Sequence, residues 1–220
     1  MPSRSFPLLY LASRSPRRQE LLARIGVRFI PLFFRAGTRL DPEVDETPLP
    51  GEAADAYVLR LARAKAEHGW RLMRLRRLPC HPVLSADTTL EYAGDIIGKP
   101  ADAANARAIL RRLSGQTHRV LTGVALATGD GEDTPDIATV LDLSQVRFRP
   151  LEESEIRRYV ASGEAMDKAG AYGIQGMAAL FIEHISGSDT GIMGLPLCAT
   201  GELLKGARKG VRGQKKHTGH

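Results

Sequence analysis

Blocks of apolar and polar residues alternate along the chain and predict a protein that mixes strands with helices. The apolar run Leu8–Leu11 is typical of a buried strand in a parallel sheet. Behind it, Leu21 and Leu22 fall on one face of a predicted helix. Ser15 can cap that helix, and Pro16 suits its first position, where no N–H is needed. This part of the chain therefore predicts a strand, a loop of small residues and a helix.

The remaining pattern continues in the same way, with antiparallel hairpins in its middle. The predicted strands and hairpins are Val27–Phe34, Pro82–Ala86, Leu90–Ile97, Thr117–Thr128, Ile137–Phe148 and Leu180–Ile185. The predicted helices are Glu52–His68, a helix capped by Asp102, Glu152–Ala161 and Pro196–Leu204, with a basic connector at Arg71–Pro79. This order favours an α/β fold with a mixed central sheet over a purely parallel one.

The formal net charge of +6 is concentrated at the C-terminus. Residues 205–220 contain six Lys and Arg residues and no acidic residue, so residues 1–204 are formally neutral. A segment rich in Gly and Lys is typical of a disordered appendage. We therefore predict a folded domain over residues 1–204 and a basic, disordered tail over residues 205–220. The alternative use of the tail is weak contact with RNA or an anionic surface.

The chain has two cysteines, Cys80 and Cys198, without the C-x-x-C spacing of a zinc site. Such sparing use of cysteine indicates a reducing compartment. The apolar run before Ser13 is too short for a signal sequence or a membrane span. These features predict a cytoplasmic protein that does not enter a membrane.

Two arginines occupy positions where a helix dipole disfavours cations. Arg17 and Arg18 fall in the first turn of the first predicted helix, which is the positive end of its dipole. Free backbone N–H groups, a helix N-terminus and two guanidinium groups together form a receptor for an anion. The alternative is an ordinary capped surface helix with solvated arginines, and this stretch alone does not decide between the two.

Carboxylates and lysines occur where they could meet such an anion. Asp87 directly follows a predicted buried strand, and Glu46 lies in an acidic, proline-rich loop. Carboxylate oxygens suit Mg²⁺ or Mn²⁺, which reach a protein through one or two carboxylates and substrate phosphates. Lys65 shares the inward face of its helix with apolar residues, and Lys99 and Lys168 lie in loops. This combination fits a polyphosphate, although a surface ion pair explains each residue taken singly.

Four stretches of the chain carry motifs that occur together in one family. They are SRSPRRQELL (Ser13–Leu22), SADTTL (Ser85–Leu90) with GKP (Gly98–Pro100), LSGQTHRVLTGVAL (Leu113–Leu126) and YVASGEAMDKAGAYGIQG (Tyr159–Gly176). In this order they resemble the Maf family of nucleoside triphosphate pyrophosphatases, and the resemblance covers Phe6–Leu204. The combination of S-P-R-R, D-T and G-I-Q-G is similar to the branch that acts on dTTP and UTP. The implied fold has two lobes flanking a cleft, similar to that of inosine triphosphate pyrophosphatases.

The resemblance also implies roles for individual residues. It makes Asp87 the catalytic residue, and Glu46 and Asp87 the ligands of a divalent metal. The implied phosphate ligands are Ser13, Arg17, Arg18, Lys65 and Lys99. The implied base-selecting residues are Arg17, Thr88 and Gln175.

The function implied is hydrolysis of the α–β phosphoanhydride of dTTP, UTP or modified pyrimidine nucleotides, giving a monophosphate and pyrophosphate in a house-cleaning role. We expect Mg²⁺ or Mn²⁺ as cofactor, a homodimer, and no specific nucleic acid as partner. Asp87 could hold the metal or accept a proton from the attacking water, and the sequence leaves both roles open. The alternative, from a different class, is a nucleic-acid- or partner-binding regulator of septum formation and cell division.

Overall fold

A mixed sheet forms the centre of the protein in the computed structural model, which describes residues 6–33, 44–131 and 133–214. Its strands are β1 (Leu9–Leu11), β2 (Phe29–Pro31), β3 (Val83–Tyr92), β4 (Asp95–Ile97), β5 (Thr117–Thr128), β6 (Asp136–Phe148) and β7 (Ile182–Ser186). Their order is β2-β1-β3-β5-β6-β7, with β4 paired to β3. β1 runs parallel to β2 and β3, and the other neighbours are antiparallel. The predicted mixed α/β fold is confirmed.

Helices cover both faces of this sheet. They are α1 (Pro16–Arg24), α2 (Ala54–Leu75), α3 (Ala103–Leu113), α4 (Glu153–Ala161), α5 (Asp189–Ile192) and α6 (Leu197–Gln214), with 3₁₀ turns at Ala169–Ala171 and Met177–Phe181. Because side chains alternate along a strand, neighbouring residues of β3 meet different helices. Ser85 Oγ donates to the Ala62 carbonyl of α2 at 2.6 Å. Leu84 packs instead with Leu21 of α1 on the opposite face.

A gap opens along one edge of β3. β5 pairs with one edge of β3 from Val83 to Glu91. β1 and β4 therefore both pair with the opposite edge, where the gap lies. β1 pairs at Val83 and Leu84, and β4 pairs from Leu90 onward. Within the described ranges, no strand pairs with this edge between those two contacts. The sheet therefore splits there, and the split is the cleft between two lobes.

Separate apolar cores support the two lobes. One core gathers α3, α4, Phe148 and Phe181 on the side of β4. The other gathers β1, α1 and the start of α6, while α2 packs on the far face of the sheet. Ile174 packs against the first two of these cores. The loop that carries it therefore lies where the lobes meet.

Two predicted boundaries in the middle of the chain are wrong. α2 continues through Leu75, so the first half of the predicted connector Arg71–Pro79 is helical. The cause is burial of Trp70, Leu72 and Met73 at helical spacing. Asp87 lies inside β3 and does not follow a strand, because the β-branched and aromatic residues after it continue the pairing with β5.

The outer elements also differ from prediction. β2 is shorter than the predicted Val27–Phe34, and Pro31 is tolerated because this strand is at an edge of the sheet. α6 continues past the predicted end at Leu204 to Gln214. Phe34, the beginning of the acidic loop and residues 215–220 lie outside the described residues, so the disorder predicted for residues 215–220 stays a prediction, whereas residues 205–214 of the predicted tail continue α6. In the described part of the chain, no helix is both long and apolar enough to cross a membrane.

Candidate active site

The N-terminus of α1 lies directly after β1, beside the gap in the sheet. Ser15 caps the helix by accepting from the Arg18 backbone N–H at 3.4 Å, and Pro16 occupies the first turn, as predicted. Ser13 Oγ accepts from the Ser15 backbone N–H at 3.2 Å. It also accepts from Arg18 Nη1 at 3.2 Å. Since both acceptor positions of this hydroxyl are then used, its proton is left to donate to a ligand.

Arg18 is a partly buried cation whose described hydrogen-bond acceptors are neutral. Nε donates to the Gly194 carbonyl at 2.8 Å, and Nη2 donates to Thr88 Oγ1 at 3.2 Å. Burial lowers the pKa of Arg18 from its ordinary value, and the charge of Asp87 opposes that change. A guanidinium stays protonated in proteins, so the site holds a fixed positive charge. Such a group attracts an anion.

Thr88 is committed to Arg18 by a chain of hydrogen bonds across β3 and β5. Thr122 Oγ1 lies 2.9 Å from Thr88 Oγ1 and donates its single proton to the Gly191 carbonyl at 2.8 Å. Thr88 must therefore donate to Thr122 and accept from Arg18. For Thr88 to act as the predicted base-selecting donor, this chain of hydrogen bonds would have to rearrange. That role stays a prediction.

On the opposite face of β3, Lys65 joins two carboxylates. Lys65 Nζ lies 2.6 Å from Asp87 Oδ1 and 2.6 Å from Glu46 Oε1. The side chains of Lys65 and Asp87 are 15% and 12% exposed, whereas that of Glu46 is 57% exposed. The cluster thus extends from the sheet towards solvent. Three residues that the sequence predicted from distant segments are in direct contact here.

Tyr57 and a close helix–sheet contact hold this cluster in place. The Tyr57 hydroxyl donates to the Glu46 carbonyl at 2.9 Å. Burial, together with the charges of Asp87 and Glu46, raises the pKa of Tyr57 to about 12, so it remains a donor at neutral pH. Gly123 is opposite Asp87 in the pairing of β3 with β5, and a Cβ there would lie 2.7 Å from the Val58 carbonyl oxygen of α2. The backbones of α2 and β5 therefore pack closely at Val58, two helical turns before Lys65.

Asp167 links cations from both sides of the cleft. Its Oδ2 lies 3.4 Å from Arg17 Nη1, and its Oδ1 accepts from Lys168 Nζ. Lys168 also donates to the Glu164 carbonyl at 2.6 Å. A carboxylate that is 65% exposed and bound to two cations occupies a position that a phosphate group could take.

The remaining predicted residues lie at the rim of the site. Lys99 is exposed, and in the described ranges it forms no ion pair. Its loop is tied to the loop of Lys168, because the Gly170 N–H donates to the Gly98 carbonyl at 3.0 Å. Gln175 is exposed in the same glycine-rich segment. The structure thus brings these two loops together, but no hydrogen bond joins the side chains of the two described residues Gln175 and Thr88.

The chemistry of the donors fits a divalent cation. Among the described residues, no group of three or more His, Cys, Asp or Glu side chains could hold a metal. Asp87 and Glu46 nevertheless converge on one ammonium group, so they already share a cation at one point. Mg²⁺ and Mn²⁺ need few protein carboxylates when substrate phosphates complete the coordination. The residues present therefore fit the predicted metal.

Sequence reasoning missed four residues of this site, which are Tyr57, Thr122, Asp167 and Gly194. Asp167 gave a weak signal, because it lies in a loop too charged and glycine-rich for a simple turn. The others gave none. Tyr57 and Thr122 have the composition of a helix face and a strand, and Gly194 contributes a backbone carbonyl. Their roles follow from contacts between segments far apart in the chain.

Comparison with known proteins identifies a family and its relatives. A family model described as Maf-like protein matches residues 8–207. The chain is 64% identical over 197 residues to a dTTP/UTP pyrophosphatase of Dechloromonas aromatica, covering 90% of this chain and 96% of the relative. It is 63% identical to a dTTP/UTP pyrophosphatase of Aromatoleum aromaticum, covering 90% and 94% of the two chains. The corresponding protein of Ralstonia nicotianae is 55% identical, with coverage of 90% and 93%.

Similarity to solved structures is weaker. A HAM1 protein from Coxiella burnetii is 21% identical and covers 91% of this chain and 99% of its own, with a TM-score of 0.45. A nucleoside-triphosphatase, or dITP/XTP pyrophosphatase, from Mycobacterium abscessus covers 66% and 75%, with 19% identity and a TM-score of 0.37. At these TM-scores neither similarity carries an argument about this chain.

Proposed function

Because the chain belongs to the family of Maf-like proteins, we propose that it is a nucleoside triphosphate pyrophosphatase that acts on dTTP and UTP. It cleaves the α–β phosphoanhydride and releases a nucleoside monophosphate and pyrophosphate. The observation that carries this proposal is the cluster of Lys65, Asp87 and Glu46 at the split in the sheet. Arg18, a cation with neutral acceptors, lies on the other face of the same strand.

Cations and N–H groups around the cleft bind the triphosphate. Arg18, Ser13 and the N-terminus of α1 form one anchor beside β1. Lys65, Arg17 and Lys99 supply further positive charge, and the phosphate displaces Asp167 from Arg17. Binding at several points fixes the α-phosphorus in the cleft, which is the main contribution a protein makes to phosphoryl transfer.

The reaction needs an attacking water and a leaving pyrophosphate. The water oxygen forms a bond to the α-phosphorus, and the bond from that phosphorus to the bridging oxygen breaks with its electron pair. Asp87 either accepts the proton of the water or holds the metal, and before substrate and metal bind its contact with Lys65 holds the carboxylate at the cleft. Lys65 and Arg18 stabilise the negative charge that develops on the phosphate oxygens.

Asp87 and Glu46 would hold Mg²⁺ or Mn²⁺, and Lys65 would then turn towards the phosphates. A bound divalent cation supplies charge neutralisation at the phosphate oxygens. The carboxylates of both residues already lie within reach of one cation. Metal dependence, formation of a homodimer and a cytoplasmic location complete the proposal. The two free cysteines support the last of these.

Gln175 is the residue proposed to read the base. Its amide offers a donor and an acceptor and, together with one further donor, can match the carbonyl, N–H and second carbonyl of thymine or uracil. Cytosine presents an amine in place of one carbonyl, so a buried polar group would be left unpaired at about 1–3 kcal/mol. We therefore expect dTTP and UTP to be preferred over dCTP, and over purines because of their size.

The test is pyrophosphate release from a panel of nucleoside triphosphates, with Mg²⁺ or Mn²⁺ and with excess chelator. We expect dTTP and UTP to be the best substrates, dCTP and GTP to be at least tenfold poorer in kcat/KM, and the chelator to stop release. No release from any nucleotide would refute the proposal and favour the nucleic-acid- or partner-binding alternative. Equal turnover of dCTP and dTTP would refute the proposed preference for thymine and uracil and the role of Gln175 in it.

A further inference from the structure

A β-turn presents Gln175 at the junction of the lobes. The Gly176 N–H donates to the Gly173 carbonyl at 3.3 Å, which makes Ile174 and Gln175 the two central residues of the turn. Ile174 packs against the cores of both lobes, and Gln175 is exposed. The orientation of Gln175 therefore depends on what fixes the two glycines at the corners.

The Glu164 carboxylate fixes the corner at Gly176. Its Oε2 accepts from the Met177 backbone N–H at 3.0 Å, and its Oε1 accepts from the Tyr159 hydroxyl at 3.2 Å. Both oxygens lie where a side chain at position 176 would be, so the absence of a Cβ lets the carboxylate approach the turn. Burial, and to a lesser extent the charge of Glu164, raises the pKa of Tyr159. The hydroxyl therefore remains a donor.

The backbone of Glu164 fixes the other corner through Lys168. Lys168 Nζ donates to the Glu164 carbonyl at 2.6 Å. This contact lays the aliphatic part of Lys168 against Gly173, where a Cβ would lie 2.7 Å from Cε. Glu164 thus acts on both ends of the turn, directly at Gly176 through its side chain and indirectly at Gly173 through Lys168.

We propose that Glu164 is a positioning residue for base selection, which holds the Gly173–Gly176 turn so that the Gln175 amide faces the base. This inference rests on the proposed function, because it concerns how that site distinguishes pyrimidines. Glu164 itself touches neither base nor phosphate. Its removal leaves the phosphate anchors around Arg18 and Lys65 in place and loosens the turn.

The test compares Glu164→Ala and Glu164→Gln with the wild type, using kcat/KM for dTTP and for dCTP. In Glu164→Ala we expect kcat/KM for dTTP to fall about tenfold, which corresponds to the loss of one hydrogen bond between the Gln175 amide and the base. The value for dCTP should change less than twofold, so the selectivity ratio falls about tenfold. Glu164→Gln keeps one acceptor oxygen and should recover part of the ratio. If the alanine variant does not fold, the glutamine variant supplies the comparison.

Two controls separate positioning from a general structural role. Glu183→Ala removes an exposed carboxylate of β7 that pairs with Arg147, and should leave the ratio unchanged. In the background of Gln175→Ala, Glu164→Ala should lower the ratio no further, because the residues act as a unit.

An equal fall for both nucleotides, an unchanged ratio, or additive effects with Gln175→Ala would overturn the inference while the pyrophosphatase activity stands. If the wild type hydrolyses no nucleotide, the proposed function itself fails.

Discussion

At the scale of single residues, two cations of the site, Lys65 and Arg18, differ in how their charge is neutralised. Lys65 contacts two carboxylates, whereas the described acceptors of Arg18 are neutral oxygens. A phosphate can therefore add to Arg18 directly, but it must compete with carboxylates for Lys65. Asp87, 12% exposed and bound to Lys65, is the residue on which the proposed chemistry depends most.

The first prediction concerns this carboxylate. Asp87→Asn keeps the size and removes the charge, so the protein should fold and bind dTTP. Its kcat should fall by at least about a hundredfold, the lower range for losing a positioned acid–base group. Steady-state kinetics and thermal unfolding measure the two effects. Asp95→Asn is the matched control, because Asp95 pairs with Arg112 at the surface. A kcat within fivefold of wild type would exclude Asp87 from catalysis.

The second prediction separates two lysines. Lys65→Ala and Lys99→Ala should each raise KM, because a cation on the triphosphate binds the ground state, and lower kcat, because the same cation binds the developing charge of the transition state more strongly. They should differ in stability. Loss of Lys65 leaves the partly buried Asp87 without its counterion and lowers Tm, whereas Lys99 is exposed and its loss leaves Tm unchanged. Equal Tm values for both variants would contradict the arrangement around Lys65.

At the scale of elements, the site depends on how α2 packs against β3 and β5. Ser85 donates to a carbonyl of α2, and Gly123 lets the helix approach β5 with no side chain between the backbones. Lys65 lies two helical turns beyond Val58, the residue at that close contact. The position of the ammonium group beside Asp87 is thus fixed by packing one strand away.

The third prediction tests this close contact. Gly123→Ala should destabilise the protein by about 1–3 kcal/mol, because its Cβ would overlap with backbone atoms of Val58. The helix would also shift Lys65, so kcat should fall. Gly201→Ala in α6 is the control. No atom of the described residues lies within 4 Å of a Cβ at this position, and alanine in a helix should stabilise by up to about 1 kcal/mol. Urea unfolding measures both, and an unchanged free energy for Gly123→Ala would contradict the packing.

The periodicity of the sequence predicted elements better than contacts between them. Helical spacing, the Ser15 and Asp102 caps and the β5–β6 hairpin were all correct, since these signals are local. The gap along β3 was not predictable, because it depends on which strands pair with which edge. For the same reason, Asp87 was predicted after a strand and lies within one. The chain of hydrogen bonds through Thr122 likewise cannot be predicted from the hydrophobic pattern of the sequence.

At the scale of the whole molecule, two lobes with separate cores meet at the cleft, and residues of both reach it. Arg17 and Arg18 come from the lobe of β1, and Asp167 and Lys168 from the loop after α4. Substrate binding should therefore draw the lobes together. Among the residues whose burial the structure describes, Leu204 is the last that belongs to these cores, and the C-terminal part of α6 continues beyond it to Gln214.

The fourth prediction concerns that C-terminal part. A chain that ends at Leu204 should keep kcat and KM for dTTP within twofold of the full chain. The residues removed include the six basic residues that give the net charge of +6. The truncated chain should also lose weak binding to single-stranded nucleic acid at low salt, if the full chain has any. A large loss of turnover would mean that the tail takes part in the site.

The identity of the products tests the central claim most directly. When the full chain is incubated with dTTP and Mg²⁺, ³¹P spectra should show dTMP and pyrophosphate in equal amounts. No dTDP or free phosphate should form, because the attack falls on the α-phosphorus. Appearance of dTDP with free phosphate would place the cleavage at the γ-phosphate and contradict the account, as would dTTP that remains intact.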